Sequence, residues 1–218
     1  MTSTRPRVAV LISGEGTNLQ ALIDAAAAGK IAGEIALVVS NRAAARGLER
    51  ARVAGIPTEC VPVQRGSERI VYDRALGDVL DRYAPDLVVL AGFMRILTPG
   101  FVARFSGRLL NLHPSLLPKY PGLDTHRQVL ENGDAVHGAT VHFVNAELDA
   151  GPPVIQYRIP VRPGEPVESL VARVHEGEHI ILPRAVDWFV TGRLRLAGDA
   201  VMLDGRRLQQ PVIVEGDA

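Results

Sequence analysis

Short apolar runs alternate with helical patterns through the first half of the chain. Runs typical of buried strands predict strands over Val8–Ile12, Ile35–Val39, Thr58–Val61, Asp86–Leu90 and Arg108–Leu112. Apolar residues at helical spacing lie between them, in a helix carrying Leu19, Leu22, Ile23 and Ala26, then over Ala43–Ala54 and Glu68–Tyr83, and in a helix starting at Thr98–Pro99. This alternation predicts an α/β fold with a mostly parallel, Rossmann-like sheet flanked by helices.

The pattern changes after Pro114. Following a proline-rich loop, we predict a helix over Thr125–Asn132, strands over His137–Val144 and Val154–Ile159, a long helix over Val167–Val190, and a hairpin of Arg193–Leu196 with Ala200–Leu203. Two strands without a helix between them indicate antiparallel additions to the sheet. Gly177 and Pro183 interrupt the long helix and predict a kink. The last residues are predicted to be loose.

The chain contains no composition shift that would mark a linker between independent domains. We therefore predict one domain over 1–218, with a nucleotide-binding half at about 7–112 and a second half at about 113–208. There are 24 Lys and Arg residues and 24 Asp and Glu residues, so no basic face predicts a nucleic-acid partner.

The sequence predicts no signal peptide, no membrane span and no internal disulfide. Met1–Pro6 is polar and has no apolar core, and no apolar run approaches the roughly 20 residues of a membrane span. The single cysteine, Cys60, cannot form an internal disulfide. These features predict a cytoplasmic protein without a membrane partner.

Three polar side chains stand at predicted strand ends. Asn111 and His113 are two residues apart, so both project from the same face of a strand that Pro114 stops. Asp149 lies in the loop before Gly151, after the strand that ends at Val144. An amide, an imidazole and a carboxylate suit acyl-type chemistry, although each alone is also typical of a capping or turn residue.

A glycine turn follows the first predicted strand. Ser13-Gly14-Glu15-Gly16-Thr17-Asn18 leads directly into a helix, where backbone N–H groups can hold an anion. A dinucleotide fingerprint would need glycine at Leu19. By itself the pattern fits a tight turn and a phosphate site equally well.

Long motifs place the chain in a family. Asn111–Gly122 (NLHPSLLPKYPG), His137–Val144 (HGATVHFV) and Glu147–Pro152 (ELDAGP) resemble the formyltetrahydrofolate-dependent formyl transferases, as do the segments around Ile12–Ile23, Ser40–Ala51 and Ala91–Leu97. The resemblance covers roughly Val8 to Leu208. It implies two small-molecule substrates, glycinamide ribonucleotide as the amine and 10-formyltetrahydrofolate as the formyl donor, and no required metal.

The resemblance also assigns residues. It implies catalytic roles for Asn111, His113 and Asp149, and a site for the ribonucleotide at Gly16, Thr17, Asn18 and Glu178. The folate site would be formed by Arg69, Met94, Arg95, Ile96, Leu97, Asn145, Ala146, Glu147 and Leu148. Without the resemblance, Met94–Leu97 would be read as core packing, Glu178 as an exposed helix residue, and His137 and His142 as structural.

Other functions remain open at this point. A deformylase of the same family shares the motif but delivers the formyl group to water, and usually carries an extra N-terminal domain. A transferase acting on initiator tRNA would need a further domain and a basic surface, and a nicotinamide-binding protein would need glycine at Leu19. His175 and His179 are spaced as a metal pair, with no third ligand evident in the sequence. Relatives suggest a homodimer.

Overall fold

The computed structural model describes residues 5–63 and 66–217. The first four residues of the polar N-terminal stretch lie outside this range. The strands are β1 (Arg7–Ile12), β2 (Glu34–Ser40), β3 (Thr58–Cys60), β4 (Leu87–Leu90), β5 (Leu109–His113), β6 (Val136–Phe143), β7 (Pro153–Pro160), β8 (Leu194–Ala197), β9 (Ala200–Leu203), β10 (Arg206–Arg207) and β11 (Val212–Glu215). The helices are α1 (Thr17–Ala27), α2 (Arg46–Val53), α3 (Arg69–Tyr83), α4 (Pro99–Arg104), α5 (Thr125–Glu131) and α6 (Val167–Val190).

One sheet of eight strands organises the domain. Its order is β11-β7-β6-β5-β4-β1-β2-β3, and the neighbours from β5 to β3 are parallel. Strand β6 pairs antiparallel with β5 and with β7, as predicted from the missing helix between them. A small antiparallel sheet of β8, β9 and β10 contains the predicted hairpin. The predicted α/β class with antiparallel additions is therefore confirmed.

Two hydrophobic clusters cover the two faces of the sheet. Alternate strand residues divide between them: Val8 and Val10 of β1 pack with α1, α2 and α6, whereas Ala9 and Leu11 pack with α3 and α4. The same alternation places Leu109 of β5 on the α3 and α4 face. Asn111 and His113 share that face, because side chains two residues apart on a strand point the same way.

Most predicted bounds are correct to within a residue at either end, but α2 starts later than predicted. The pattern suggested a start at Ala43, whereas the helix begins at Arg46. The residues before it form a turn, in which Arg42 donates its backbone N–H to the Ser40 hydroxyl and Ala45 donates to the Arg42 carbonyl. Ala45 is extended and therefore ends the turn rather than opening the helix.

The prediction of a loose C-terminus is wrong. Residues Val212–Glu215 form β11, which pairs in parallel with β7 at the edge of the large sheet. Val212 and Val214 pack against the core, so apolar burial as well as hydrogen bonding holds this segment. The predicted long helix is confirmed, since α6 spans Val167–Val190 and contains Gly177 and Pro183; the predicted kink stays a prediction. Within residues 5–63 and 66–217, no helix has the length and apolar character needed to cross a membrane.

Candidate active site

The carboxyl ends of β1, β4 and β5 lie side by side at one edge of the sheet. From β1 the chain first adds β2 and β3 on one side and then adds β4 and β5 on the other, so the order of strands reverses between β1 and β4. Ligands in open α/β sheets bind at such a switch point. The loops after β1 and β4 are fastened together there, because the Ser13 hydroxyl accepts from the Met94 backbone N–H (2.8 Å) and the Ser13 N–H donates to the Gly92 carbonyl (3.1 Å).

The three predicted catalytic side chains meet beside this edge. Asp149 reaches them from the loop between β6 and β7. Its Oδ1 lies 3.3 Å from Asn111 Nδ2, and its Oδ2 lies 3.4 Å from His113 Nδ1. The His113 and Asp149 side chains are only 6% and 9% exposed, so their contact is largely shielded from water. The structure therefore brings the three side chains together, and their joint catalytic role stays a prediction.

Backbone geometry fixes the Asp149 carboxylate. Asp149 adopts a left-handed conformation (φ 51°), and its Oδ2 accepts a hydrogen bond of 2.9 Å from the Gly122 backbone N–H. Gly151 follows where the loop touches β6, and a Cβ at that position would stand 1.8 Å from the Phe143 carbonyl oxygen. Only glycine fits this approach, so the loop path and the carboxylate position are set together.

The second nitrogen of His113 is also occupied. Its Nε2 lies 2.8 Å from the carbonyl oxygen of Tyr120, which can only accept, so Nε2 carries a proton. Tyr120 has a left-handed backbone (φ 56°), and its hydroxyl donates to Asp134. With Nε2 committed, a proton on Nδ1 makes the ring an imidazolium that faces Asp149. The arrangement is suited to holding a positive ring beside a carboxylate.

A cavity of about 720 Å³ adjoins the cluster. Buried side chains such as Leu97 and Val102 form its apolar part, and Asn111, His113 and Asp149 stand at its polar end. The exposed segment Asn145–Leu148 lines another side. A broader groove of about 1080 Å³ between α1 and α6 contains none of the three catalytic candidates, and we therefore assign the chemistry to the smaller cavity.

The residues predicted to bind folate divide into two groups. Met94, Arg95, Ile96 and Leu97 and the segment Asn145, Ala146, Glu147 and Leu148 all line the cavity. Met94 and Ile96 are 61% and 51% exposed, so core packing explains only Leu97. Arg69 is exposed at the start of α3 and is not among the residues lining the cavity; its role remains a prediction.

The Arg95 side chain packs against helix α3. Its guanidinium lies 4.2 Å from the centre of the Tyr72 ring, and Asp73, the next residue of α3, accepts the backbone N–H of Thr98 (2.6 Å). Burial raises the pKa of Tyr72, so the ring stays neutral. Helix α3 therefore supports the cavity wall at both ends of the 94–98 loop.

The glycine turn stands at the N-terminus of α1. Gly16 is left-handed (φ 72°) and caps the helix, and Thr17 and Asn18 form its first turn, where backbone N–H groups have no partner within the helix. Asn18 donates to Glu178 of α6 at 2.8 Å. Glu178 is 3% exposed, which contradicts the alternative of an exposed helix residue. Burial raises its pKa, while the bond from Asn18 lowers it.

If the glycine turn holds the ribonucleotide phosphate, as the resemblance implies, replacing Gly16 with alanine should weaken ribonucleotide binding selectively. The added Cβ would lie 2.6 Å from the Gly47 Cα, and the left-handed backbone itself disfavours alanine. Strain of about 1–3 kcal/mol in this turn corresponds to a rise of about 5- to 150-fold in the ribonucleotide KM. We expect the folate KM to change little. Gly100→Ala, where a Cβ meets no atom within 4 Å, is the matched control in steady-state kinetics.

The sequence pattern did not predict a place for His142 of β6 in the candidate site. His142 is paired with Asn111 across β5 and β6, and its Nε2 lies 3.0 Å from Asn111 Nδ2. The pairing of β5 with an antiparallel β6 could have predicted this contact, because it places residues of the Asn111 motif opposite residues of the His137–Val144 motif. His137 contacts His126 instead (3.0 Å); His137 is buried and His126 is half-buried.

The His126–His137 pair should make the fold sensitive to acid. Burial is the main cause that lowers both pKa values to about 4; neighbouring histidines add to it, and Asp134 opposes it at His137. An unfolded chain takes up these protons near pH 6.5. This contribution to stability is therefore complete above pH 6.5 and is lost as the pH falls toward 4. After allowance for the partial exposure of His126, we expect a loss of about 2 kcal/mol in the free energy of unfolding.

Urea unfolding between pH 7 and 4.5 measures this effect. His137→Gln keeps a hydrogen-bonding side chain but cannot titrate, so its stability should fall less steeply over the same range. Parallel curves for the two proteins would show that other groups cause the acid sensitivity.

The suggested metal pair gains no support from the described residues. The His175 and His179 rings stack with 6.3 Å between their centres, and no group of three His, Cys, Asp or Glu side chains suited to a metal ion occurs among residues 5–63 and 66–217.

The chain is similar in sequence and in structure to known formyl transferases. Residues 6–186 match the family model described as formyl transferase. The chain is 56% identical to the phosphoribosylglycinamide formyltransferase of Escherichia coli K12 over 92% of its length and 95% of that protein. It is 50% identical to the enzyme of the same name from Haemophilus influenzae, over 93% and 95%. The solved phosphoribosylglycinamide formyltransferase of Coxiella burnetii superposes with a TM-score of 0.92 at 47% identity, covering 96% of this chain and 99% of that one.

A deformylase is also similar, but more distantly. The formyltetrahydrofolate deformylase structure from Pseudomonas syringae is 26% identical, with a TM-score of 0.85, and this chain covers only 66% of it.

Proposed function

The chain belongs to the formyl transferase family, and from that premise we propose that it transfers the formyl group of 10-formyltetrahydrofolate to the amine of 5'-phosphoribosylglycinamide, a step of purine biosynthesis. The observation that carries the proposal is the placement of Asn111, His113 and Asp149 at the polar end of a cavity beside the glycine turn. The high identity to enzymes with this activity over nearly the whole chain supports the same reaction.

The three side chains have complementary roles in this reaction. The neutral amine attacks the formyl carbon, a carbon–nitrogen bond forms, and the carbonyl oxygen becomes an oxyanion. An N–H of Asn111 and the His113 imidazolium stabilise that oxygen, which typically contributes about 3–4 kcal/mol per preorganised donor. The bond from carbon to the folate nitrogen then breaks.

A proton must also move for the reaction to balance. The attacking nitrogen loses a proton, and the departing folate nitrogen gains one. Asp149 can accept the first and release it to the folate nitrogen as the carbon–nitrogen bond breaks, while its contact with His113 keeps the imidazolium in place; positioned proton transfer contributes roughly 10²–10⁴-fold in rate. The products are the formamide and tetrahydrofolate.

Size and polarity of the cavity suit a folate. Its volume of about 720 Å³ lies within the range of roughly 300–1000 Å³ typical of small-molecule sites. A wall of apolar side chains with polar groups at one end fits an extended molecule whose reacting nitrogen links its pterin ring to its aminobenzoyl ring. Met94–Leu97 and Asn145–Leu148 would bind it, and Arg69 would contact its exposed end.

The ribonucleotide would bind at the glycine turn between β1 and α1. Gly16, Thr17 and Asn18 offer N–H groups at the positive end of α1 to its phosphate, and Glu178 would accept from a sugar hydroxyl. In this division the glycine turn of the half at about 7–112 binds the phosphate. The half at about 113–208 supplies His113, Asp149 and the folate segment Asn145–Leu148, and the first half adds Asn111, Arg69 and Met94–Leu97 to the same site. A cytoplasmic location and a homodimer are further proposals.

Substrate dependence separates this function from the deformylase alternative. Purified protein is mixed with 10-formyltetrahydrofolate, with and without glycinamide ribonucleotide, and tetrahydrofolate release is followed by absorbance. We expect release that requires the ribonucleotide. Equal release in its absence would mean that water is the acceptor and would support the hydrolase.

A further inference from the structure

His142 is the polar side chain that approaches Asn111 from the neighbouring strand. It is 1% exposed, and its Nε2 lies 3.0 Å from Asn111 Nδ2. Its distance to Asp149 Oδ1 is longer, at 3.8 Å. The closest polar contact of the ring across the site is therefore with the catalytic amide.

The other ring nitrogen settles the tautomer. His142 Nδ1 lies 2.8 Å from the carbonyl oxygen of Phe143. A carbonyl can only accept, so Nδ1 carries the hydrogen. In a neutral ring Nε2 then has a lone pair, which accepts a hydrogen from the Asn111 amide.

The surroundings of His142 keep the ring neutral. Burial lowers the pKa of His142, against the Phe143 carbonyl and Asp149, which raise it, and with His113, which lowers it further. The titratable groups facing the ring are Asp149 from the loop and His113 from β5. A charged His142 would have no lone pair to offer the Asn111 amide.

The orientation of the Asn111 amide follows from these contacts. Its NH₂ group lies between two acceptors, His142 Nε2 at 3.0 Å and Asp149 Oδ1 at 3.3 Å. A reversed amide would place its oxygen against both acceptors and lose both bonds. The shorter bond to His142 fixes the amide, and the other hydrogen, whose contact with Asp149 is longer, is the one available to a substrate oxygen.

We propose that His142 is a positioning residue, which as a neutral acceptor holds the Asn111 amide with one N–H directed into the catalytic site. This rests on the proposed function in one respect, namely that Asn111 donates to the oxyanion. His142 itself acts through Asn111 and not on the reacting atoms.

Kinetics of two variants test this role. His142→Leu removes the acceptor, and we expect kcat to fall by about 100-fold, the usual effect of a misplaced oxyanion donor, with each KM within about threefold of wild type. His142→Gln offers a carbonyl oxygen that cannot titrate, so it should recover at least part of kcat. On the acid side, kcat of the wild type should fall as Nε2 is protonated, and His142→Gln should shift or lose that decline. A His142→Leu enzyme with wild-type kcat, or an unmoved acid decline in His142→Gln, would overturn the proposal.

A double-mutant cycle separates positioning from general structure. In an Asn111→Leu background, His142→Leu should lower kcat no further, because the group that it positions is gone. Additive losses would contradict the proposal. Thermal unfolding of each variant shows which proteins are folded.

The ¹⁵N chemical shifts of the wild-type His142 ring give a readout independent of activity. We expect a protonated Nδ1 and an unprotonated Nε2 at pH 7, and a proton on Nε2 in the resting protein would overturn the proposal even if no variant folds. Conversely, a protein with this tautomer but no ribonucleotide-dependent transfer would leave the positioning intact and contradict the proposed function.

Discussion

Asp149→Asn should lower kcat by about 10³-fold while the protein stays folded. The amide oxygen of asparagine can still accept from the Gly122 N–H, so the loop keeps its anchor. What is lost is the negative charge 3.4 Å from His113 and the acceptor for the amine proton. Loss of a positioned proton acceptor typically costs about 10²–10⁴-fold, and loss of the partner of the imidazolium adds to that cost.

Steady-state kinetics with both substrates measure this effect. We expect both KM values to stay within a few-fold, because the carboxylate acts on the reacting atoms and its replacement preserves shape. Asp199→Asn, which neutralises an exposed carboxylate in the turn between β8 and β9, is the matched control and should behave as wild type. Near-normal turnover of Asp149→Asn would remove this residue from the mechanism.

Asn111→Asp should have a comparable effect, above about 10³-fold in kcat. The substitution keeps the shape but replaces the donor Nδ2 with a carboxylate oxygen 3.3 Å from Asp149 Oδ1. Two carboxylates so close cannot both ionise without cost, so the pKa of one must rise. The site would then face the developing oxyanion with repulsion where it had a hydrogen bond, which itself accounts for about 10²–10³-fold.

Asn111→Leu distinguishes charge from hydrogen bonding. It removes the donor without adding a carboxylate, so we expect a loss of about 10²–10³-fold that does not depend on pH in the way that the Asn111→Asp loss does. If Asn111→Asp retained more activity than Asn111→Leu, a donor role for Asn111 would be contradicted.

Much of the fold could be predicted because its strands are buried on both faces. Val8–Ile12 and Asp86–Leu90 are nearly continuous apolar runs, and few other structures accommodate such runs between amphipathic helices. The meeting of Asn111 with His113 followed from the two-residue period of a strand. The carboxylate depended on motif resemblance, because 38 residues separate Asn111 from Asp149 and spacing alone gives no contact between them.

Other features depend on tertiary contacts that the sequence does not encode locally. Val212–Glu215 looked loose because four residues carry little pattern, and only the free edge of β7 makes them a strand. Glu178 reads as a surface residue until α1 packs against α6 and Asn18 covers it. His142 reads as a structural histidine until strand register sets it against Asn111.

The fate of a labelled formyl carbon tests the central claim most directly. Protein is incubated with 10-formyltetrahydrofolate carrying ¹³C in the formyl group, together with glycinamide ribonucleotide, and the products are followed by ¹³C NMR. Direct transfer predicts that the label appears in the formamide of the ribonucleotide, in step with tetrahydrofolate. Label accumulating as free formate at the same rate would contradict transfer to the amine and with it the roles assigned to Asn111, His113 and Asp149.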